Sequence, residues 1–355
     1  MAYTTINKST DNFNTKLWSG NGSSQALTGV GHQTDMVWIK SRTDTRKHNL
    51  YDVVRGVQKR IVPNDTVAED TVPGVTAFGT DGFTVGSETD TNGGSRNFVG
   101  WSWKANGAGS SNSDATGSYP ITSTVSANTT AGFSIVKYTG NGYSTATIGH
   151  GLGSKPAMVI MRPLGYTGAW WIIHKDLTAD HVLEFNTNVE ANISSFGGGG
   201  LKYSTFTNAV IGGGNGSSNS DLWNKSGEDY IAYCFAEKTG YSKFGKYTGN
   251  GNSGNGVFIN TGFKPSWILI KTTSLAGNNW QMYDNKREGY NPQNDLFRAN
   301  ATDAEGNGTD PIDILSNGFK LYNAAGSANQ NGGTYIYMAF GQSLVGSNNI
   351  PCTAR

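Results

Sequence analysis

Apolar residues in this chain come in short runs instead of long helical stripes. Three runs, Met36-Val-Trp-Ile-Lys40, Ala157-Met-Val-Ile-Met-Arg162 and Ser266-Trp-Ile-Leu-Ile-Lys271, each follow a Gly-rich loop. Runs of this length, rich in β-branched and aromatic residues, predict strands. Further strands are expected around Leu50–Val54, at Gly82-Phe-Thr-Val-Gly86 and at Asn97–Lys104. No long window keeps a three-to-four apolar period. The one helical candidate, Thr178–Val189, coincides with an alternating Val-Leu-Glu-Phe-Asn segment and is read as strand.

The pattern is written three times. Trp18-Ser-Gly-Asn-Gly22 returns as Tyr138-Thr-Gly-Asn-Gly142 and Tyr247-Thr-Gly-Asn-Gly251. Each turn is followed by an apolar run, then by an alternating segment ending at Asn64, Asn186 or Asn300. Each copy closes on an aromatic strand beginning at Phe98, Tyr230 or Tyr335. Four landmarks in one order predict a repeated module. Many short strands with Gly-rich turns predict an all-β fold of tandem, jelly-roll-like β-sandwich modules, three related repeats in all. The expected boundaries are module 1 at 1–104, a Gly/Ser/Thr-rich linker at 105–130, module 2 at 131–237, module 3 at 238–345 and a tail at 346–355. The junction at 237–246 is short and carries Tyr241 and Phe244, so modules 2 and 3 are expected to dock together.

Composition narrows the partners. With 27 basic and 26 acidic residues the net charge is +1, which offers no field for nucleic acid or an anionic membrane. Glycine is enriched at 49 residues, yet 9 Trp, 16 Tyr and 15 Phe supply enough apolar area for packed cores. Neither a signal peptide nor a membrane-spanning run is read from the sequence. Cys234 falls in a closing strand and Cys352 near the last residue, so a buried thiol and a tail thiol are expected instead of a bridge.

Catalytic and metal signatures are weak. His32, His48, His150, His174 and His181 show no zinc-ligand spacing, and His150 is read as shaping its Gly-rich loop. Asp303–Asp310 places oxygen ligands at alternate positions but lacks the EF-hand glycine and twelfth-position acid, so a solvated turn is expected. The 211–220 loop lacks the Gly-Lys-Ser/Thr and helix of a phosphate cradle. No cofactor, metal or catalytic residue is therefore assigned.

Aromatic placement gives the one contact expectation. In Trp170-Trp-Ile-Ile173 adjacent residues point to opposite faces of a strand. Pairing Trp171 and Ile173 with Trp280 and Met282 makes these the inward residues. Trp170 and Ile172 are then outward, as a contact for another subunit, another module or a sugar ring, with burial under the linker as the alternative.

The opening residues 1–25, the Tyr-Thr-Gly-Asn-Gly turns, the Gly149-His-Gly-Leu-Gly153 loop leading into Met158-Val-Ile160 and the closing Phe98–Lys104 strand resemble the repeated-module structural proteins of marine bacteriophages, a tail-fibre-like or virion-appendage family. The resemblance runs from residue 1 to about residue 345. It implies a non-enzymatic β-module protein at the virion surface, attaching to the host through a surface glycan or envelope protein. Other virion proteins and further copies of the chain are the implied partners, without nucleic acid or membrane insertion. A capsid decoration or head-fibre role is the alternative, and a glycan-degrading tailspike is a third reading. The chain departs from a long-fibre plan in lacking a coiled-coil shaft.

Overall fold

The computed structural model describes residues 4–178, 181–191, 200–214 and 221–343. Its first inner sheet has the order Phe13–Ser19, Asn97–Trp103, Met36–Ser41, Asn49–Asp52. The same order of opening, closing, second and third strand recurs as Phe133–Thr139, Asp229–Phe235, Met158–Pro163, Trp171–His174. It appears again as Ser242–Thr248, Thr334–Ser343, Phe263–Thr272, Gln281–Asp284. All of these neighbours are antiparallel, and their registers correspond. Met36 faces Trp103, Met158 faces Phe235 and Trp267 faces Phe340. We call these three units residues 13–104, 105–236 and 242–343.

Side chains alternate across a strand, so each inner sheet has two faces to cover. One face meets an outer sheet of its own unit. Gln25–Thr28, Gly82–Val85 and Val75–Gly79 form that layer in the first unit, and Pro120–Ile121, Thr147–Gly149 and Val210–Gly212 in the second. In the third, the inner sheet continues through Gln293–Arg298 and Gly306–Leu315 into the outer layer. This is an all-β sandwich architecture. Val37 and Ile39 point into the first unit's own core, whereas Met36 and Trp38, from the same strand, point the other way. Both faces are covered, which is why the entire Met36–Ser41 strand is buried.

The inward faces of all three units meet in one core. Phe13 stacks on Phe340 at 5.6 Å, Trp38 meets Phe185 at 5.5 Å, Phe185 meets Trp280 at 4.8 Å and Trp101 meets Phe297 at 5.9 Å. These pairs join every unit to both others. At the centre, Met36, Trp103, Trp170, Phe235, Trp267 and Met338 leave a void of only about 10 Å³, too small to be useful to a ligand. The units are therefore wedges of one body and not beads on a string.

This arrangement corrects the reading of 105–130 as a linker. The segment carries strands Ser110–Asn112, Pro120–Ile121 and Ser123–Asn128, and the last pairs along Phe133–Thr139 to widen the second unit's sheet. Ladder hydrogen bonds need no large side chain, and Ile121 and Val125 suffice to anchor the segment to the second unit's core. The Thr178–Val189 strand is realised at Leu183–Glu184, paired with Trp171–His174. The 346–355 tail and Cys352 lie outside the described residues.

The Gly-Asn-Gly landmarks have a structural cause. Asn141 and Asn224 exchange two hydrogen bonds at 2.8 Å, amide N–H to Oδ1 and Nδ2 to Oδ1. The same clasp joins Asn21 to Asn92 and Asn250 to Asn329. The glycine that follows each turn asparagine has positive φ, 71°, 82° and 65° at Gly22, Gly142 and Gly251, where a side chain would be strained. Asn92, Asn224 and Asn329 are buried, so each clasp satisfies polar groups withdrawn from water.

A shared core has a measurable consequence. Calorimetry is expected to show one cooperative transition, with Phe340→Ala costing about 3–5 kcal/mol. Three separable transitions would contradict the shared core.

Candidate functional site

Trp170 and Ile172 are not surface residues. Both are fully buried in the central core. Trp170 Nε1 donates to the carbonyls of Val62 at 2.9 Å and Asp65 at 3.2 Å in the first unit, and the Arg162 guanidinium lies 5.1 Å from its ring. Of the expected partners, it is another unit of the same chain that they meet. The pairing inferred from sequence was one residue out of step. The Trp170 amide donates to Asn186 Oδ1, the Trp280 amide to Asn300 Oδ1 and the His48 amide to Asn64 Oδ1, so His48, Trp170 and Trp280 are equivalent. Trp171 and Ile173 belong instead to the second unit's own core.

Two residues beyond each of those asparagines, a carbonyl accepts from a buried cation of another unit. Lys40 Nζ donates to Thr302 O at 3.2 Å, Arg162 Nη2 to Thr66 O at 3.5 Å and Val67 O at 2.6 Å, and Lys271 Nζ to Asn188 O at 3.3 Å. First reaches third, third reaches second and second reaches first, which closes a ring. Main-chain bonds repeat at the same junctions, from Glu305 N to Arg42 O, Glu69 N to Leu164 O and Ala191 N to Thr273 O. Burial pulls Lys40 and Lys271 down to about 8 and Arg162 to about 10. Charges held this way maintain geometry more than they add stability.

Carboxylates occupy two of the three junctions. Asp52 accepts from Tyr233 Oη at 2.7 Å and from Arg55 Nε at 2.5 Å, while Asp284 accepts from Trp101 Nε1 at 3.0 Å and Arg287 Nε at 2.5 Å. At the third junction His174 stands in the aspartate's place, close to Met338. Its Nδ1 accepts from the Asp176 amide at 3.1 Å, which puts the proton on Nε2. Burial pulls this imidazole down to about 4. Beside the Asp284 junction, burial and then Glu305 push Asp295 up to about 7. Burial, the largest single influence, would raise Glu305, but the hydrogen bonds from Arg42 and Asp295 and the charges of Arg287 and Arg42 together outweigh it and hold that carboxyl below its usual range. The acids and bases are thus committed to joining the units.

The remaining expectations resolve similarly. His150 Nδ1 accepts from the Leu152 amide at 3.2 Å within its own loop, and His32 bonds Thr10 O and Ser102 Oγ. The solvated turn expected at 303–310 is corrected, because Gly306–Leu315 is a strand; Asp303 pairs with Arg298, Glu305 with Arg42 and Asp310 accepts from Ser327, so its acids face three different partners. Among the described residues no cluster of His, Cys, Asp and Glu could hold a metal. Burial pushes the Cys234 thiol up to about 12.

What the outer surface offers is aromatic. Tyr119 and Tyr143, 38% and 49% exposed, stack at 3.7 Å with their rings 6° from parallel. Their backbones are fixed by the clasp. Tyr143 N donates to Asn141 Oδ1 at 3.1 Å, Asn224 Nδ2 donates to Tyr143 O at 2.7 Å, and Asn141 Nδ2 donates to Tyr119 O at 3.4 Å. Sequence reasoning missed this pair. The available signal was Tyr143 directly after its Asn-Gly turn, where the other units carry Ser23 and Asn252.

Comparison with known proteins gives a family match. The model of a family described as a domain of unknown function, DUF7483, matches residues 8–343. No curated protein and no solved structure matches.

The buried His174 sets an acid limit on stability. An unfolded histidine titrates near 6.5 and the folded one at about 4, so between these values the unfolded chain alone takes up the proton. Its contribution is complete above about pH 6.5 and is lost as the pH falls towards 4. Stability measured from pH 7 to pH 4 should fall less steeply in His174→Gln, by up to about 3 kcal/mol over the window. Parallel curves would refute the assignment.

Proposed function

The chain belongs to the DUF7483 family, and for this member we propose a non-enzymatic attachment role at the surface of a phage particle. The exposed Tyr119–Tyr143 stack carries the reading. Tyrosine provides a large amphipathic contact area with few torsions to freeze, and backbone bonds already hold this pair in place. A ring face of this kind suits the C–H face of a sugar or an apolar protein patch. The net charge of +1 suits a neutral host glycan or envelope protein better than a polyanion.

The rest of the molecule supports a scaffold. Its polar groups hold the units together, and loops on a rigid sheet framework are where recognition residues sit. The tyrosine pair has no counterpart after Asn21 or Asn250, where Ser23 and Asn252 stand. Single aromatic sugar sites are weak. Homo-oligomers on the particle, alongside other virion proteins, would supply avidity.

One observation favours capsid decoration as a second reading. A ring of three similarly ordered units would suit a threefold position on a capsid. Particles lacking the protein would then lose resistance to heat, which attachment alone does not require.

The attachment reading is tested by Tyr119→Ser with Tyr143→Ser. Binding of the purified protein to host cells is expected to fall at least about tenfold. The thermal midpoint should hold, since both rings lie outside the cores. Undiminished binding would overturn the reading.

A further inference from the structure

At one junction a carboxyl group stands where a sister unit carries a cation. Leu50 pairs with Ile61, Ile172 with Leu183 and Met282 with Phe297. Counting from these pairs makes Lys59, His181 and Asp295 equivalent, and likewise Glu69, Ala191 and Glu305. The main-chain bonds of Glu69, Ala191 and Glu305 to the neighbouring unit confirm that register. In the first unit the two positions are complementary. Lys59 Nζ lies 3.9 Å from Glu69, and Arg55 donates to the same carboxylate at 3.0 Å. In the second unit the acid is replaced by Ala191. In the third an acid faces an acid.

Asp295 and Glu305 are hydrogen-bonded to each other, and two carboxyl groups share such a bond only while one of them carries a proton. The charged groups facing Asp295 are Arg42 from the first unit, Arg287 and Glu288 from the stretch after Gln281–Asp284, and Glu305 itself. Both guanidiniums are already engaged. Arg42 gives its fork to Glu305 at 2.5 and 2.8 Å and stands 3.6 Å from Asp295, while Arg287 donates through Nε to Asp284 and holds Nη1 3.8 Å from Glu305. Both carboxyl side chains are mostly buried, so water screens them little.

We propose that the Asp295–Glu305 pair is a proton-dependent latch between the first and third units, tight in mildly acidic solution and released as the pH rises to neutrality. What it holds is the 302–305 stretch. The Thr302 carbonyl accepts from Lys40 Nζ and from the Arg46 amide, and the Glu305 amide donates to Arg42 O. Once the proton leaves, two anions meet across the pair and one guanidinium fork cannot serve both. Trp101 stays against Phe297 in the shared core, so the release is local. The sign follows from where the proton is held. Asp295 titrates at about 7 in the closed form and near 3.8 once opened, so between these values the closed form alone keeps the proton. The latch is complete below about 3.8 and is lost as the pH rises through about 7. It does not depend on the tyrosine platform.

Hydrogen exchange of the full chain tests the proposal, followed at the Glu305 amide and at its first-unit counterpart, the Glu69 amide that donates to Leu164 O. After correction for the pH dependence of free amides, protection at Glu305 is expected to fall at least about tenfold between about pH 4.5 and pH 7.5. Protection at Glu69, beside a lysine in place of an acid, should change less than about twofold over the same range. Asp295→Asn keeps a donor towards Glu305 at every pH and should remove the dependence. Asp295→Lys, which copies the first unit's pair, should remove it as well. The thermal midpoint of Asp295→Asn should exceed that of the unaltered chain at about pH 7.5 and equal it at about pH 4. The same pH dependence at both amides, or a dependence at Glu305 that survives in Asp295→Asn, would overturn the assignment.

Discussion

Covering both faces of every inner sheet is the constraint from which the rest of this structure follows. A sheet with one wet face can alternate apolar and polar residues. Here the outward face of each inner sheet is buried in its own unit and the inward face in a core common to all three. The strands become continuous apolar runs. Any charge that remains on them has to find a partner without water, and Lys40, Arg162 and Lys271 do so by reaching across to main-chain carbonyls of another unit. A carbonyl is a weaker partner than a carboxylate, but it is fixed by its loop. The cation therefore records which unit sits beside it and in what register.

The junctions follow one plan with unlike chemistry. An aspartate, bridged by an arginine three residues on, accepts from Tyr233 at one and Trp101 at another. At the third, His174 and Leu177 take those places, and the arginine's position is apolar. Removing both members of a buried ion pair together avoids leaving either one uncompensated. A neutral imidazole bonded to the nearby amide of Asp176 meets the same steric demand.

Much of this was legible. The order of landmarks correctly indicated an all-β chain, and Asn64, Asn186 and Asn300 stood out before any reason for them was known. Their reason is a side-chain bond to the amide of His48, Trp170 or Trp280. What could not be read was which face of a strand meets which neighbour. With Trp170, Trp171, Ile172 and Ile173 all apolar, alternation carries no phase, and a one-residue slip exchanges the two faces. The structure fixes the phase by the asparagine bond. The 105–130 stretch was misread for a different reason. Composition reports side chains, and Ser123–Asn128 is held mainly by its backbone ladder.

The same logic separates scaffold from surface. Some of the asparagine and glycine, abundant enough to suggest adaptable binding loops, is spent on the clasps instead. In each turn one asparagine is locked to a buried partner and one glycine supplies the φ the turn requires. Residues consumed in this way are not available to recognise anything. Positions where the units differ are the ones released from this constraint, because equivalent positions are occupied by the demands of the fold. Tyr143 replaces Ser23 and Asn252 on the outside, and Asp295 replaces Lys59 and His181 at a junction. Both substitutions run against local stability, one by exposing a large ring and the other by setting an acid against an acid.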